Sequence, residues 1–221
     1  MKKLKLLFPI IAGAFVLASC SGTVKDPAKI SEALEPGEKP EEAIIKKLDT
    51  EESTITWEGT KLDGTSHDGI VGVKSGELYV VENQVVGGKN VIDMTEIVVL
   101  DLEDPEMNAK LQGHLESDDF FSVEKYPEAY YDMASISLIE DAKADEPNYM
   151  IRGNLTIKGI THGFSFPAFV SMKDDKLHAV ADFSFDRSLF DVKFGSGKFF
   201  DNLGDNLIHD HVNIGVDVFA K

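Results

Sequence analysis

His209-Asp210-His211 sets two imidazoles two residues apart, on one face if the segment is extended, and such a pair could seat Zn or Cu. A metal centre also needs a third ligand and outer partners, and the sequence marks neither, so no metal site is expected. Gly195-Ser196-Gly197 is not the GxSxG of a nucleophile elbow, and Gly197-Lys198 is followed by Phe199 rather than Ser or Thr, which excludes a P-loop. His67, His114 and His162 show no reason to converge, and the 39 Asp and Glu offer acid–base pairs without marking any one of them. The expectation is a protein without catalysis, with no cofactor, whose carboxylates form a solvated surface.

The aromatic residues say more. There are 14 Phe, and many fall in close groups: Phe120 and Phe121, Phe164 and Phe166, Phe183 and Phe185 with Phe190, then Phe199 and Phe200. Pairs two apart in a strand point to the same side. Together with Trp57, these residues either fill a closed core or line a barrel lumen that takes one elongated apolar ligand.

The elements that must position them follow from pattern. From residue 53 onward, β-prone runs alternate with Gly, Asn and Asp turns, giving eight or so strands. Val212, Ile214, Val216 and Val218 alternate with polar or small residues, as a half-buried strand requires. The fold class is therefore all-β, an antiparallel barrel or sandwich. Asp104-Pro105 followed by Met107, Leu111 and Leu115 predicts one helix between strands, about 105–116.

The N-terminus carries a different message. Lys2, Lys3 and Lys5 precede an uncharged run over residues 6–18, too short to span a bilayer, and then Leu17-Ala18-Ser19-Cys20. That ending resembles the lipobox of bacterial lipoproteins. It implies a signal peptide over 1–19, acylation of Cys20, and a mature protein in the cell envelope, lipid-anchored to a membrane and facing the periplasm or the exterior. Residues 20–52 contain Pro27, Pro36 and Pro40, many acids and no aromatic residue, and read as an acidic flexible linker ahead of a domain over 53–221. Such a linker would reach about 30 Å.

Charge limits the partners. With 22 Lys and Arg against 39 Asp and Glu the net charge is -17; losing the three lysines of residues 1–19 leaves 19 against 39, or -20. Nucleic acid is excluded, and a basic protein partner is compatible. One cysteine excludes an intramolecular disulfide and any multi-cysteine metal site.

Ordered motifs span the domain. They are Trp57 with Gly59 and Lys61, His67-Asp68-Gly69, Ser75-Gly76-Glu77-Leu78, the run from Gly113-His114-Leu115 to Phe120-Phe121 with Tyr126-Pro127, and the stretch from Gly153-Asn154-Leu155 through Lys158-Gly159 to His162. Phe185-Asp186-Arg187 and Phe199-Phe200-Asp201-Asn202-Leu203-Gly204-Asp205 complete the set. In these residues the chain resembles the YceI-like lipid/polyisoprenoid-binding family. The resemblance implies an eight-stranded lipocalin-like barrel, with the helical segment near its mouth and a long isoprenoid or similar lipid, such as a quinone, in its lumen. It departs where many members carry Arg-Asp before the His-Leu pair, since Leu111 and Gln112 stand here.

Head-group candidates are the local bases Lys158, Arg187, Lys193 and Lys198. A diphosphate suits so acidic a protein poorly, which favours a neutral or weakly polar head group. The expected function is a membrane-tethered protein that carries or stores such a lipid without turnover. The alternative is an interaction or structural lipoprotein with a Phe-filled core and no ligand.

Overall fold

The structure is a computed structural model and describes residues 25–221. The expected signal peptide and Cys20 lie outside the described residues. The strands are β1 Lys29–Ser31, β2 Ile44–Lys47, β3 Thr54–Thr60, β4 Ser66–Val81, β5 Gln84–Val99, β6 Glu128–Leu138, β7 Tyr149–Ile157, β8 Ile160–Lys173, β9 Lys176–Asp186 and β10 His211–Ala220. One helix, α1, covers Pro105–Glu116.

Strands β3 to β9 each pair antiparallel with the next, and β10 lies between β9 and β3, which closes an eight-stranded antiparallel barrel of the lipocalin-like kind. Turn chemistry fixes three of its hairpins. Glu82-Asn83, Lys158-Gly159 and Asp174-Asp175 all have positive φ at both residues, the backbone that a two-residue turn needs to match strand twist. Helix α1 begins where the Asp104 carboxylate accepts from the amides of Glu106 and Met107 at 3.0 and 2.9 Å, with Pro105 in the first turn. It buries Leu115 and packs Leu111 on the core, but leaves Met107 exposed.

Two rims result. The helix rim gathers the β3–β4 turn, the 100–127 connection with α1, the β7–β8 turn and the 187–210 connection. The hairpin rim gathers the β4–β5, β6–β7 and β8–β9 turns together with the C-terminus.

The segment expected to be a flexible linker is, from residue 25 onward, part of this wall. Strands β8 and β9 pair with each other only near their shared hairpin, at 169–173 with 176–180, and diverge toward the helix rim. Residues 25–31 fill the seam as a strap. Strand β1 pairs Lys29, Ile30 and Ser31 with Ser165, Phe164 and Gly163 of β8. On the other side the Ala28 amide donates to Ser184 O of β9 at 2.8 Å, and the Ser184 amide donates to Asp26 O at 3.0 Å. The strap then crosses β7, where the Asn154 side chain bonds both the N–H and the C=O of Leu34 at 2.7 and 2.9 Å. Strand β2 completes the edge of β4 below β3.

Apolar content could not announce this segment. Its place is set by backbone groups on two open strand edges that would otherwise lack partners. Deleting residues 25–31 should therefore speed amide exchange at Ser184 at least about tenfold, the equivalent of one or two hydrogen bonds, and leave the β4–β5 hairpin protected. An unchanged Ser184 rate would show that the seam closes without the strap.

Candidate ligand-binding lumen

Inward positions of the eight strands enclose a cavity of about 270 Å³. That is well above the roughly 150 Å³ that admits benzene, and near the small end of the range of about 300 to 1,000 Å³ for ligand sites. Leu48, Leu177 and Ala179 line it toward the hairpin rim; Leu115, Phe120, Phe121, Val192 and Ile208 line it toward the helix rim. Val212, Ile214, Val216 and Val218 of β10 all face it, as their alternation predicts.

The seam is packed with aromatic rings. Phe164 and Phe166 of β8 meet Phe183 and Phe185 of β9, with Phe164–Phe183 centroids 5.5 Å apart at 69° and Phe166–Phe183 centroids 4.5 Å apart at 31°. Large rings bridge here what two diverging backbones cannot close. Across the barrel, Trp57 lines the cavity and its indole N–H donates to Ile70 O at 3.1 Å. Gly69 makes room for that ring, because a Cβ there would run into Val98 O and stand 2.8 Å from the indole.

Of the candidate aromatic residues, Trp57, Phe120, Phe121, Phe164, Phe166, Phe183 and Phe185 line the cavity. Phe190, Phe199 and Phe200 do not. Phe190 is 0% exposed and sits behind the wall, edge-on to Phe185 and His162. Phe199 and Phe200 are 44% and 50% exposed on the 187–210 connection. All three lie outside the strands, where the two-residue period assigns no face.

The four head-group candidates do not converge on one point. Only Arg187 lines the cavity, at 3% exposure, and its guanidinium donates to three carbonyls: Val192 O at 2.9 Å, Ile208 O at 3.3 Å and His209 O at 3.3 Å. Asp210 stands 3.9 Å away. Burial pulls the Arg187 pKa below its ordinary value, against the opposing pull of Asp210 and Asp186. Lys158 donates to Asp191 O at 2.8 Å, and Lys193 pairs with the Asp191 carboxylate. Lys198 pairs with Asp186 and donates to Ser188 Oγ at 3.0 Å. Burial alone would raise the Asp186 carboxyl, yet hydrogen bonds from Lys198 and Ser188 hold it below the usual carboxylate range. Lys158 ties the 187–210 connection to the β7–β8 turn and Lys198 ties it to the end of β9, while Arg187 and Lys193 bond within it.

Two further residues escape sequence reasoning. Asn90 lines the cavity opposite Tyr131, and its Oδ1 is buried with no donor among the described residues. Lys46 is buried and donates to Asp175 O and Oδ1 at 2.7 Å each, tying β2 to the β8–β9 turn. Burial raises the Tyr131 phenol far above its ordinary pKa, and its hydroxyl donates to Phe164 O at 3.3 Å. Among the described residues no group of three or more His, Cys, Asp or Glu could hold a metal ion, so His209 and His211 gain no third ligand there. No described helix is long and apolar enough to cross a membrane.

A family model described as a YceI-like domain matches residues 47–220. Among solved structures, BcnA of Burkholderia cenocepacia is 21% identical, with a TM-score of 0.57 over 79% of this chain and 99% of that one. A polyisoprenoid-binding domain from Saccharophagus degradans, implicated in plant cell wall breakdown, is 14% identical, with a TM-score of 0.59 over 80% and 97%. At these identities the likeness is one of fold. No curated protein sequence matches.

Proposed function

The chain belongs to the YceI-like domain family, and on that premise we propose that it holds an isoprenoid or similar long apolar lipid in the barrel lumen, for carriage or storage without turnover. The observation that carries this reading is the cavity itself, which runs from Leu48 to Ile208 between apolar walls interrupted by few polar side chains. The solved Saccharophagus degradans relative, described as a polyisoprenoid-binding domain, supports the ligand class.

Transfer energetics limit the task. Burying a chain from water gains about 0.8 kcal/mol per CH₂, but drawing it from a bilayer gains almost nothing, since lipid is already apolar. A barrel of this kind suits carrying better than extracting. Because Lys158, Arg187, Lys193 and Lys198 already have carboxylate or carbonyl partners, a diphosphate would find no free cation among them, which favours a neutral head group such as a quinone or an alcohol. In this reading Cys20 is acylated and tethers the barrel to an envelope membrane.

Native mass spectrometry of residues 20–221 carrying Cys20→Ser, purified from a bacterial host without detergent, tests the binding. A stoichiometric mass increment, lost on solvent extraction and identified as an isoprenoid lipid, is expected. Protein that stays apo after incubation with quinones and polyprenyl alcohols would overturn the proposal.

A further inference from the structure

The helix rim carries a concentration of exposed apolar side chains: Leu62, Leu100, Met107, Phe194, Phe199 and Phe200. They come from separate segments, the β3–β4 turn, the start of the 100–127 connection, α1 and the 187–210 connection, yet topology brings all of them to one end of the barrel. Contacts join them. The Leu62 amide donates to Leu207 O at 2.9 Å, and Phe194 packs edge-on against His114 of α1 with centroids 4.4 Å apart. The aromatic tip is not slack: the Phe199 and Phe200 amides both donate to the carbonyl of Ser196, itself 0% exposed, at 3.2 and 3.1 Å. A buried residue thus anchors the backbone turn on which the two phenyl rings stand exposed, with the Lys193 ammonium 5.3 Å from the Phe199 ring. Large apolar patches maintained on a surface mark interaction sites.

We infer that the helix rim is a docking face for a neutral lipid bilayer, with Phe199 and Phe200 as its inserting side chains. This deepens the proposed function and rests on its membrane reading. The occupant follows from where the described chain ends. Lys25 is pinned to the wall, its amide donating to Asn213 Oδ1 at 3.0 Å and its carbonyl accepting from Ser184 Oγ at 2.8 Å. Asn213 and Ser184 each lie two residues from the helix-rim ends of β10 and β9, about 7 Å along the strand. The opposite rim is eight residues from Ser184 down β9, about 26 Å. From Cys20 to Lys25 even a fully extended chain spans at most about 18 Å. An acyl anchor at Cys20 therefore brings the helix rim, and not the hairpin rim, to the lipid.

Charge selects the kind of surface. Asp118, Asp119, Asp201 and Asp205 are exposed on the same rim, which disfavours anionic lipid and also disfavours a second copy, whose identical face would set those carboxylates against each other.

The test uses residues 20–221 with Cys20→Ser, which cannot be acylated and keeps every described residue, sedimented with vesicles of phosphatidylcholine alone or mixed with phosphatidylglycerol. Binding to phosphatidylcholine is expected, with weaker binding to the mixture. Phe199→Asp with Phe200→Asp should cut the partition coefficient at least about tenfold. Leu138→Asp, at an exposed apolar residue near the opposite rim, should leave it unchanged, and Leu62→Glu should repeat the loss from a different segment. Circular dichroism confirms that each variant is folded. No binding to phosphatidylcholine, or binding indifferent to the Phe pair, overturns the inference. So does a dimer in sedimentation velocity that the Phe pair abolishes. Cargo is weighed in the same preparations: cargo without vesicle binding overturns docking alone, whereas vesicle binding without cargo overturns the lipid-holding reading alone.

Discussion

Phe183→Asp should abolish cooperative folding. Phe183 is 6% exposed and its ring meets both Phe164 and Phe166 across the strap-filled seam. Losing a buried phenyl ring removes about 3 to 5 kcal/mol, and a carboxylate set among apolar rings adds several more, against a total stability of about 5 to 15 kcal/mol for a domain. The variant should show no urea transition in near-UV circular dichroism. Phe183→Leu, which keeps the site apolar, should fold with a lowered midpoint. A native-like midpoint for the Asp variant would mean that this face of β9 does not point into the barrel.

Arg187→Met should destabilise the protein by about 3 to 5 kcal/mol, read from the urea midpoint. The aliphatic replacement fills the space but leaves the carbonyls of Val192, Ile208 and His209 without their donor. It also removes one of the two cations beside half-buried Asp210, leaving Lys198 at 3.8 Å. Arg187→Lys should recover little of this, because one ammonium cannot serve three acceptors spread around a planar fork. A Met variant within about 1 kcal/mol of the native protein would show that the guanidinium is not what holds the 187–210 connection.

The barrel was legible because strands announce themselves locally. Alternation in β10 and the paired Phe residues in β8 and β9 assigned side chains to one face of each strand, and Asp104-Pro105 marked the start of α1. What stayed hidden depends on partners distant in sequence. Residues 25–31 look like linker because their order comes from two open strand edges more than a hundred residues away, and Lys46 is buried only because Asp175 lies across the barrel. Phe199 and Phe200 read as lumen residues by type, yet they sit on a connection where no periodicity tells inside from outside. Arg187 and Lys198 read as anion binders because composition supplies the cations, while the carboxylates and carbonyls that engage them become neighbours only once the connection folds back.

The strap also fixes an order of events in the chain's own synthesis. Residue 25 emerges early from the ribosome, but its partner Asn213 is 188 positions away and is made almost last, as is the strand that closes the barrel against β3. The first-made residues of the wall must wait for the final ones. Contacts of such long sequence separation make folding slow, because loop-closure entropy is lost before they form. Until β10 arrives, the edges of β9 and β3 that it joins stand bare, the interval in which the nascent protein is most exposed to aggregation.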